Sequence, residues 1–356
     1  MKIILISFTA GVSLLISCAV IPVLLSLSHR FDWYDDTNHR KIHTGNIPRI
    51  GGIAIFIAFL AGFLAFRTYS VLSGSWINAG RHIWPLFIGG TVIHLTGLYD
   101  DFRNIKALYK LLLQILAACL VVFTGHSILS VSFPFLTTSI DSGIIGQVVS
   151  IIWIVGVSNA VNLIDGMDGL SSGVSAAVLI GLGVLFLSQG LLLSAAFTFS
   201  LLGGVIGFLL FNRPPAKLFM GDSGSLFIGF MLASLPLLES AKTCSMTSFL
   251  MITLLLIPVL DTFTAIFRRL VAGKPIHSAD KEHLHHKLMH LGLSTGAVLA
   301  VIYSVSLVLA AVVMFWVLSP GIASSICLVG GWGIAAVLFT VLHFLNKKQK
   351  AEGRPS

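Results

Sequence analysis

Long apolar runs, broken by short polar stretches, follow one another along almost the whole of this 356-residue chain. A membrane-spanning helix needs about 20 mostly apolar residues, and eleven stretches come close to that length. They are Ile3–Leu27, Ile50–Phe66, Ile83–Leu98, Ala107–Thr124, Ile144–Ile164, Gly173–Leu187, Leu191–Phe211, Ser223–Leu238, Ser248–Phe267, Thr295–Leu318 and Ile322–Leu345. The pattern predicts an all-α, polytopic integral membrane protein of about eleven helices. Three of the runs are short or tightly joined, so ten or twelve spans also fit. Residues 1–346 read as one polytopic membrane domain and 347–356 as a basic tail. No internal repeat is visible, so a transporter built from two matched halves gains no support.

Composition sharpens this. The chain is 56% hydrophobic and only 10% charged, with a mean hydropathy of +0.97, outside the range of soluble domains. Basic residues accumulate on the cytoplasmic side of membrane proteins. With the amino terminus outside and the carboxyl terminus in the cytoplasm, 18 of the 22 Lys and Arg fall inside, leaving Lys2, Arg67, Arg81 and Lys242. The net charge of +8 therefore reads as topology and attraction to anionic lipid. No basic stripe with interleaved aromatics marks a nucleic-acid partner. Lys2 and the apolar run after it resemble a secretory signal, but the run continues past Cys18 to Leu27 without a small-residue cleavage site and reads as a retained helix. The four cysteines, Cys18, Cys119, Cys244 and Cys327, are too scattered for a disulfide framework or a metal site.

Five polar clusters stand at the ends of the runs, and this topology puts all of them on the cytoplasmic face. Polar groups at a bilayer edge or deeper are costly and tend to be functional. Asp100-Asp101 ends the third run; adjacent carboxylates raise one another's pKa, which suits a proton acceptor, though an acidic pair also marks a helix end. Lys110, with Gln114 beyond it, either snorkels to the interface or neutralises a phosphate. Asn159, Asn162 and Asp165 recur every three residues and form one stripe on a helix, followed by Gly166, Asp168 and Gly169. Amide and carboxylate oxygens suit magnesium; helix packing is the plainer reading. Asp222 directly precedes an apolar run, where a carboxylate caps a helix, and Lys217 is a phosphate contact or an ordinary inside lysine. His283, His285 and His286, with Asp280 before them, suit zinc or a phosphate group, and spacing does not choose. Asp261 lies inside the ninth run, with Arg268 two turns on or the site itself as its partner. In the first loop, with Arg40, Lys41 and His43, the Gly51-Gly52 pair predicts close backbone approach.

Together these stretches, Arg40–Gly52, Gly97–Gln114, Asn159–Gly173, Pro215–Gly229 and Pro258–Leu288, resemble the polyprenyl-phosphate N-acetylhexosamine-1-phosphate transferases. The His-Leu-His-His form after Asp280 is similar to the branch that uses undecaprenyl phosphate and UDP-N-acetylglucosamine-type donors. The phospho-N-acetylmuramoyl-pentapeptide branch usually has three consecutive histidines. The resemblance implies an enzyme of the bacterial inner membrane in which a polyprenyl phosphate attacks a UDP-N-acetylhexosamine. The products are a polyprenyl-diphospho-sugar, which starts cell-wall or surface-glycan synthesis, and UMP. It implies magnesium, with manganese as a substitute, at Asn162 and Asp222, and proton acceptance by Asp101, less so Asp100. It places Lys41, Lys110, Asn159, His283, His285 and His286 on substrate, with Asp165 and Asp168 shaping the uridine and metal surroundings. A homodimer is compatible with the sequence. Two rival classes remain. An ion-coupled transporter predicts midplane carboxylates, for which Asp261 alone qualifies. A CDP-alcohol phosphotransferase would share the start Asp165–Gly169, but Ser172-Gly173 stand where Ala-Arg should follow.

Overall fold

The protein is described from a computed structural model covering residues 2–33, 47–73, 83–128, 130–131, 140–141, 143–239, 247–275 and 282–351. Its helices are α1 (Lys2–Phe31), α2 (Gly51–Leu72), α3 (Trp84–Arg103), α4 (Ala107–Phe123), α5 (Gly143–Ile164), α6 (Leu170–Ser188), α7 (Leu192–Asn212), α8 (Gly221–Ser234), α9 (Thr247–Leu254), α10 (Leu256–Val271), α11 (Leu284–His290), α12 (Thr295–Leu318) and α13 (Ile322–Ala351). A two-residue antiparallel ladder, Ser130–Val131 against Ile140–Asp141, is the exception to helix among the described residues.

Each of the eleven apolar runs occupies helix. Eight of the described helices are long and apolar enough to cross a membrane, and the α9–α10 pair makes nine if its two halves are one span. The ninth run, expected as one helix, is bent by 77° between Leu254 and Leu256. Pro258 supplies the cause. It has no N–H for the Leu254 carbonyl and its ring crowds that carbonyl, so the first helix stops and a second restarts with proline in its first turn. Many large apolar side chains point outward, among them Leu64, Leu116, Ile152, Phe263 and Val337. An apolar exterior of this kind suits lipid as the surrounding solvent.

Helix α8 is the axis of the fold. All 14 of its residues are buried, against α2, α3 and α5. Apolar attraction between helices is weak inside a bilayer, so close packing of small residues must bring them together. At the α1–α7 crossing, Gly203, Gly204 and Gly207 let the backbones approach. Ser17 donates across it to the Gly204 carbonyl at 3.0 Å, and Ser13 ties α1 to α2 by donating to the Ala58 carbonyl at 2.9 Å. Farther along, Phe59, Phe63, Phe87, Phe197 and Phe227 pack ring against ring around α2, α3, α7 and α8. The C-terminal end of α3, the N-terminal ends of α2 and α8 and the C-terminal end of α5 gather at one end of this frame.

Candidate active site

The start of α8 is set by its neighbours. Phe219 donates its N–H to the Pro48 carbonyl at 2.9 Å, while Gly51 and Gly52 donate to the carbonyls of Phe219 and Met220 at 2.9 and 2.8 Å. The close approach expected of Gly51-Gly52 is thus a short ladder that ties the entry of α2 to the entry of α8. Gly221 has φ of +71°, and a Cβ there would meet the Asp101 carboxylate and the Arg49 carbonyl. Only glycine suits both demands. A helix cap was the plainer reading of Asp222, beside magnesium. Asp222 lies instead one residue inside the helix, and Asp101 caps it: the backbone N–H groups of Asp222 and Ser223 donate to the two Asp101 carboxylate oxygens at 2.8 and 3.0 Å. The cap comes from another helix because α3 ends here, turned by Asn104 in a left-handed conformation with φ of 49°.

With its backbone so held, the Asp222 side chain is surrounded by donors. Lys110 Nζ bridges Asp222 Oδ2 and Asp100 Oδ2, each at 2.9 Å. Asn162 Nδ2 donates to Asp222 Oδ1 at 3.1 Å and to the Ser225 hydroxyl at 2.8 Å. Arg49 stands 3.8 Å from Asp222 Oδ1. The other Asp100 oxygen accepts the Ile105 N–H at 2.8 Å, so Asp100 closes the turn between α3 and α4 and anchors Lys110. Asn159 Nδ2 donates to Gln114 Oε1 at 2.6 Å and to the carbonyl of Val155 at 2.8 Å, joining α4 to α5.

Past the end of α5, Asp165 lies in the field of three other carboxylates. Burial, and then the negative charges of Asp222, Asp101 and Asp168, hold its carboxyl well above the usual carboxylate range, against the pull of Arg49. Part of the residue reaches solvent, so the crowding of charge is the firmer of these causes. Asp168 is buried, and its Oδ2 accepts the Ala216 N–H at 2.9 Å, fastening the loop after α5 to the loop before α8.

The histidine segment, for all its polar residues, is not a peripheral loop. It forms α11, and His283 and His285 are 6% and 2% exposed. Asp261 is bonded to His283 and to the Leu284 N–H rather than to Arg268. Arg268 instead donates to the Glu282 carbonyl at 3.0 Å. His285 rests against Gly166, where a Cβ would lie 3.2 Å from its ring. Burial, then the nearby His286 and His283, push the His285 imidazole down to about 3. At neutral pH it is an uncharged ring, which offers a hydrogen bond and not a positive charge. His286 packs on His285 at 4.2 Å between ring centres.

The structure therefore brings together Asp100, Asp101, Lys110, Asn159, Asn162, Asp165, Asp168, Asp222 and the histidine segment. Lys41, with Arg40 and His43, lies outside the described residues. Residues singled out for no role also take part. Asn212 accepts the Gly169 N–H at 2.9 Å and donates to the Leu218 carbonyl at 2.9 Å. Tyr303 donates to the Gly169 carbonyl. His94, stacked on Phe56 at 4.2 Å, contacts the Ser223 carbonyl through Nδ1 at 3.1 Å. Among the described residues, no three His, Cys, Asp or Glu side chains converge as a metal-ligand set.

A family model described as Glycosyl transferase family 4 matches residues 83–240. A probable undecaprenyl-phosphate N-acetylglucosaminyl 1-phosphate transferase of Bacillus subtilis is 37% identical over 83% of this chain and 81% of its own. The chain belongs to glycosyl transferase family 4. Another relative is a decaprenyl-phosphate N-acetylglucosaminephosphotransferase of Mycobacterium leprae, 31% identical over 84% of this chain and 80% of its own. A phospho-N-acetylmuramoyl-pentapeptide-transferase of Listeria monocytogenes is also similar, 31% identical over 75% of this chain and 84% of its own. The stretch matched by the family 4 model contains Asp100, Asp101, Lys110, Asn159, Asn162, Asp165, Asp168 and Asp222, and stops short of the histidines. In this family 4 chain, then, the matched stretch carries Lys110, Asn162 and Asp101, which bond Asp222 directly, while Arg49, Gly51 and Gly52 lie before it.

Proposed function

We propose that this chain transfers N-acetylglucosamine-1-phosphate from a UDP-sugar to undecaprenyl phosphate at the cytoplasmic face of the bacterial inner membrane. We read eleven crossings, with Met1 outside and Ser356 inside. The observation that carries the activity is the Asp222 carboxylate, fixed at the start of a fully buried helix between Lys110, Asn162 and Arg49. Such preorganised charge is what a diphosphate-centred transition state requires. A phosphate oxygen of the lipid forms a bond to the phosphorus nearest the sugar, and the bond from that phosphorus to the UMP oxygen breaks. Lys110 and Arg49 supply positive charge to the phosphates, and His285 and His286 offer ring nitrogens to the donor.

Asp101 is committed to the backbone of α8 and Asp100 to Lys110. Each therefore has a structural task, and neither is a free base to help deprotonate the lipid phosphate. The help needed is small, because the second pKa of a phosphate monoester is about 6. The residues fit magnesium, with manganese as a substitute. The charges that crowd Asp165 are those a divalent cation relieves. Asp222 and Asp165 would hold the ion, which when bound neutralises charge on the diphosphate. Asn162 turns an amide N–H toward Asp222 and so orients that carboxylate.

N-acetylglucosamine is favoured over the pentapeptide sugar because the 37% identical relative bears its name. Purified protein incubated with undecaprenyl phosphate, magnesium and a panel of UDP-sugars tests this. UMP release with UDP-N-acetylglucosamine is expected. Release with the muramoyl-pentapeptide donor alone would favour the other branch, and no release with any donor would sink the reading.

A further inference from the structure

Asp261 lies 2% exposed in α10, six residues past the break between α9 and α10. A carboxylate buried in an apolar helix is costly unless its oxygens are hydrogen-bonded. Here both are used by one distant segment. Oδ1 accepts the Leu284 N–H at 2.8 Å and Oδ2 faces His283 Nδ1 at 2.9 Å. His283 occupies the cap position of α11 without a side-chain cap bond of its own, and Asp261 meets that need from across the fold. The His283 ring lies parallel to that of His285, 4° apart in plane and 6.2 Å between centres. His285 has a buried Nε2 with no hydrogen-bond partner among the described residues, and its ring edge is placed against Gly166, next to Asp165.

From this chain of contacts we infer that Asp261 and His283 are a positioning pair. They hold the start of α11 so that His285 keeps its unpartnered Nε2 beside the Asp165 loop. His283, on this inference, works through Asp261 and touches no substrate. The inference rests on the phosphotransferase reading only in supposing that His285 faces the donor; the clamp itself is independent of it.

Two measurements on the full-length protein test it. Hydrogen exchange over residues 282–290 reads the clamp without activity. Asp261→Leu is expected to speed exchange at the Leu284 amide by about tenfold or more, while Asp261→Asn, which keeps an acceptor oxygen, speeds it less. Unchanged exchange in Asp261→Leu overturns the clamp whatever the enzyme does. Turnover reads its purpose. His283→Leu is expected to lower kcat for the UDP-sugar by about 10- to 100-fold, as loss of an orienting partner commonly does. His283→Asn places an N–H near the original Nδ1 and is expected to recover most of that loss, with KM for the lipid unchanged in both. If His283→Asn is as poor as His283→Leu while exchange stays slow, His283 touches substrate and the inference is wrong. Absence of turnover in the wild-type protein, with the exchange result as expected, would remove the functional reading and leave the clamp standing.

Discussion

Asp222 receives Lys110 and Asn162 directly, with Arg49 close by, so changing it to Asn removes the charge that all three face. Asp222→Asn is expected to lower UMP release by about 100-fold or more with protein yield intact, measured across a magnesium titration. Near-normal release would show that this carboxylate is not at the reacting centre. The histidines invite a second check, since zinc remains their rival partner. Metal content of the purified protein and its melting temperature in chelator are expected to show no stoichiometric zinc and no chelator effect; a structural zinc would lower the melting temperature on removal.

The residues that the sequence singled out and the structure gathers are those whose chemistry is rare in an apolar chain: Asp222, Asn162, Lys110 and the histidines. Asp101 was visible as a carboxylate but not as a cap, because the N–H groups it serves lie 121 and 122 positions away. Asn212 and Tyr303 gave less signal still. A single polar residue near the end of an apolar run looks like ordinary interface until its tertiary partner is known.

At the scale of elements, the eleven runs announced their helices because length and apolarity suffice for that. The break in the ninth run did not announce itself. Pro258 was in view, but proline is tolerated in membrane helices, and whether it bends one depends on packing. The burial of α11 was hidden for a related reason, as three histidines among lysines read as a solvated loop until Asp261 is found beneath them. Two substitutions test how elements hold the site. Asp101→Ala removes the acceptor for two N–H groups at the start of α8 and is expected to cost about 2–3 kcal/mol, measured as a lower melting temperature in detergent. Gly97→Ala adds a methyl about 2.5 Å from the Asp222 and Ser223 backbone. It is expected to push α8 from α3, costing about 1–3 kcal/mol, and to reduce UMP release more than any loss of folded protein explains.

For the molecule as a whole, the proposed eleven crossings and the basic bias predict that the two ends of the chain lie on opposite sides. Reporters fused to each end are expected to place the amino terminus outside and the carboxyl terminus in the cytoplasm. Both on one side would mean one crossing too many or too few, with the bent α9–α10 pair the first place to look. The enclosed position of α8 carries a further consequence. Lipid-facing helices respond to bilayer thickness by tilting, at a cost of fractions of a kcal/mol per ångström of mismatch. A helix with every residue buried has no lipid-facing surface on which that force can act. Asp222 is therefore referenced to the protein and not to the bilayer, and its chemistry should be indifferent to acyl-chain length over a range in which the outer helices lean.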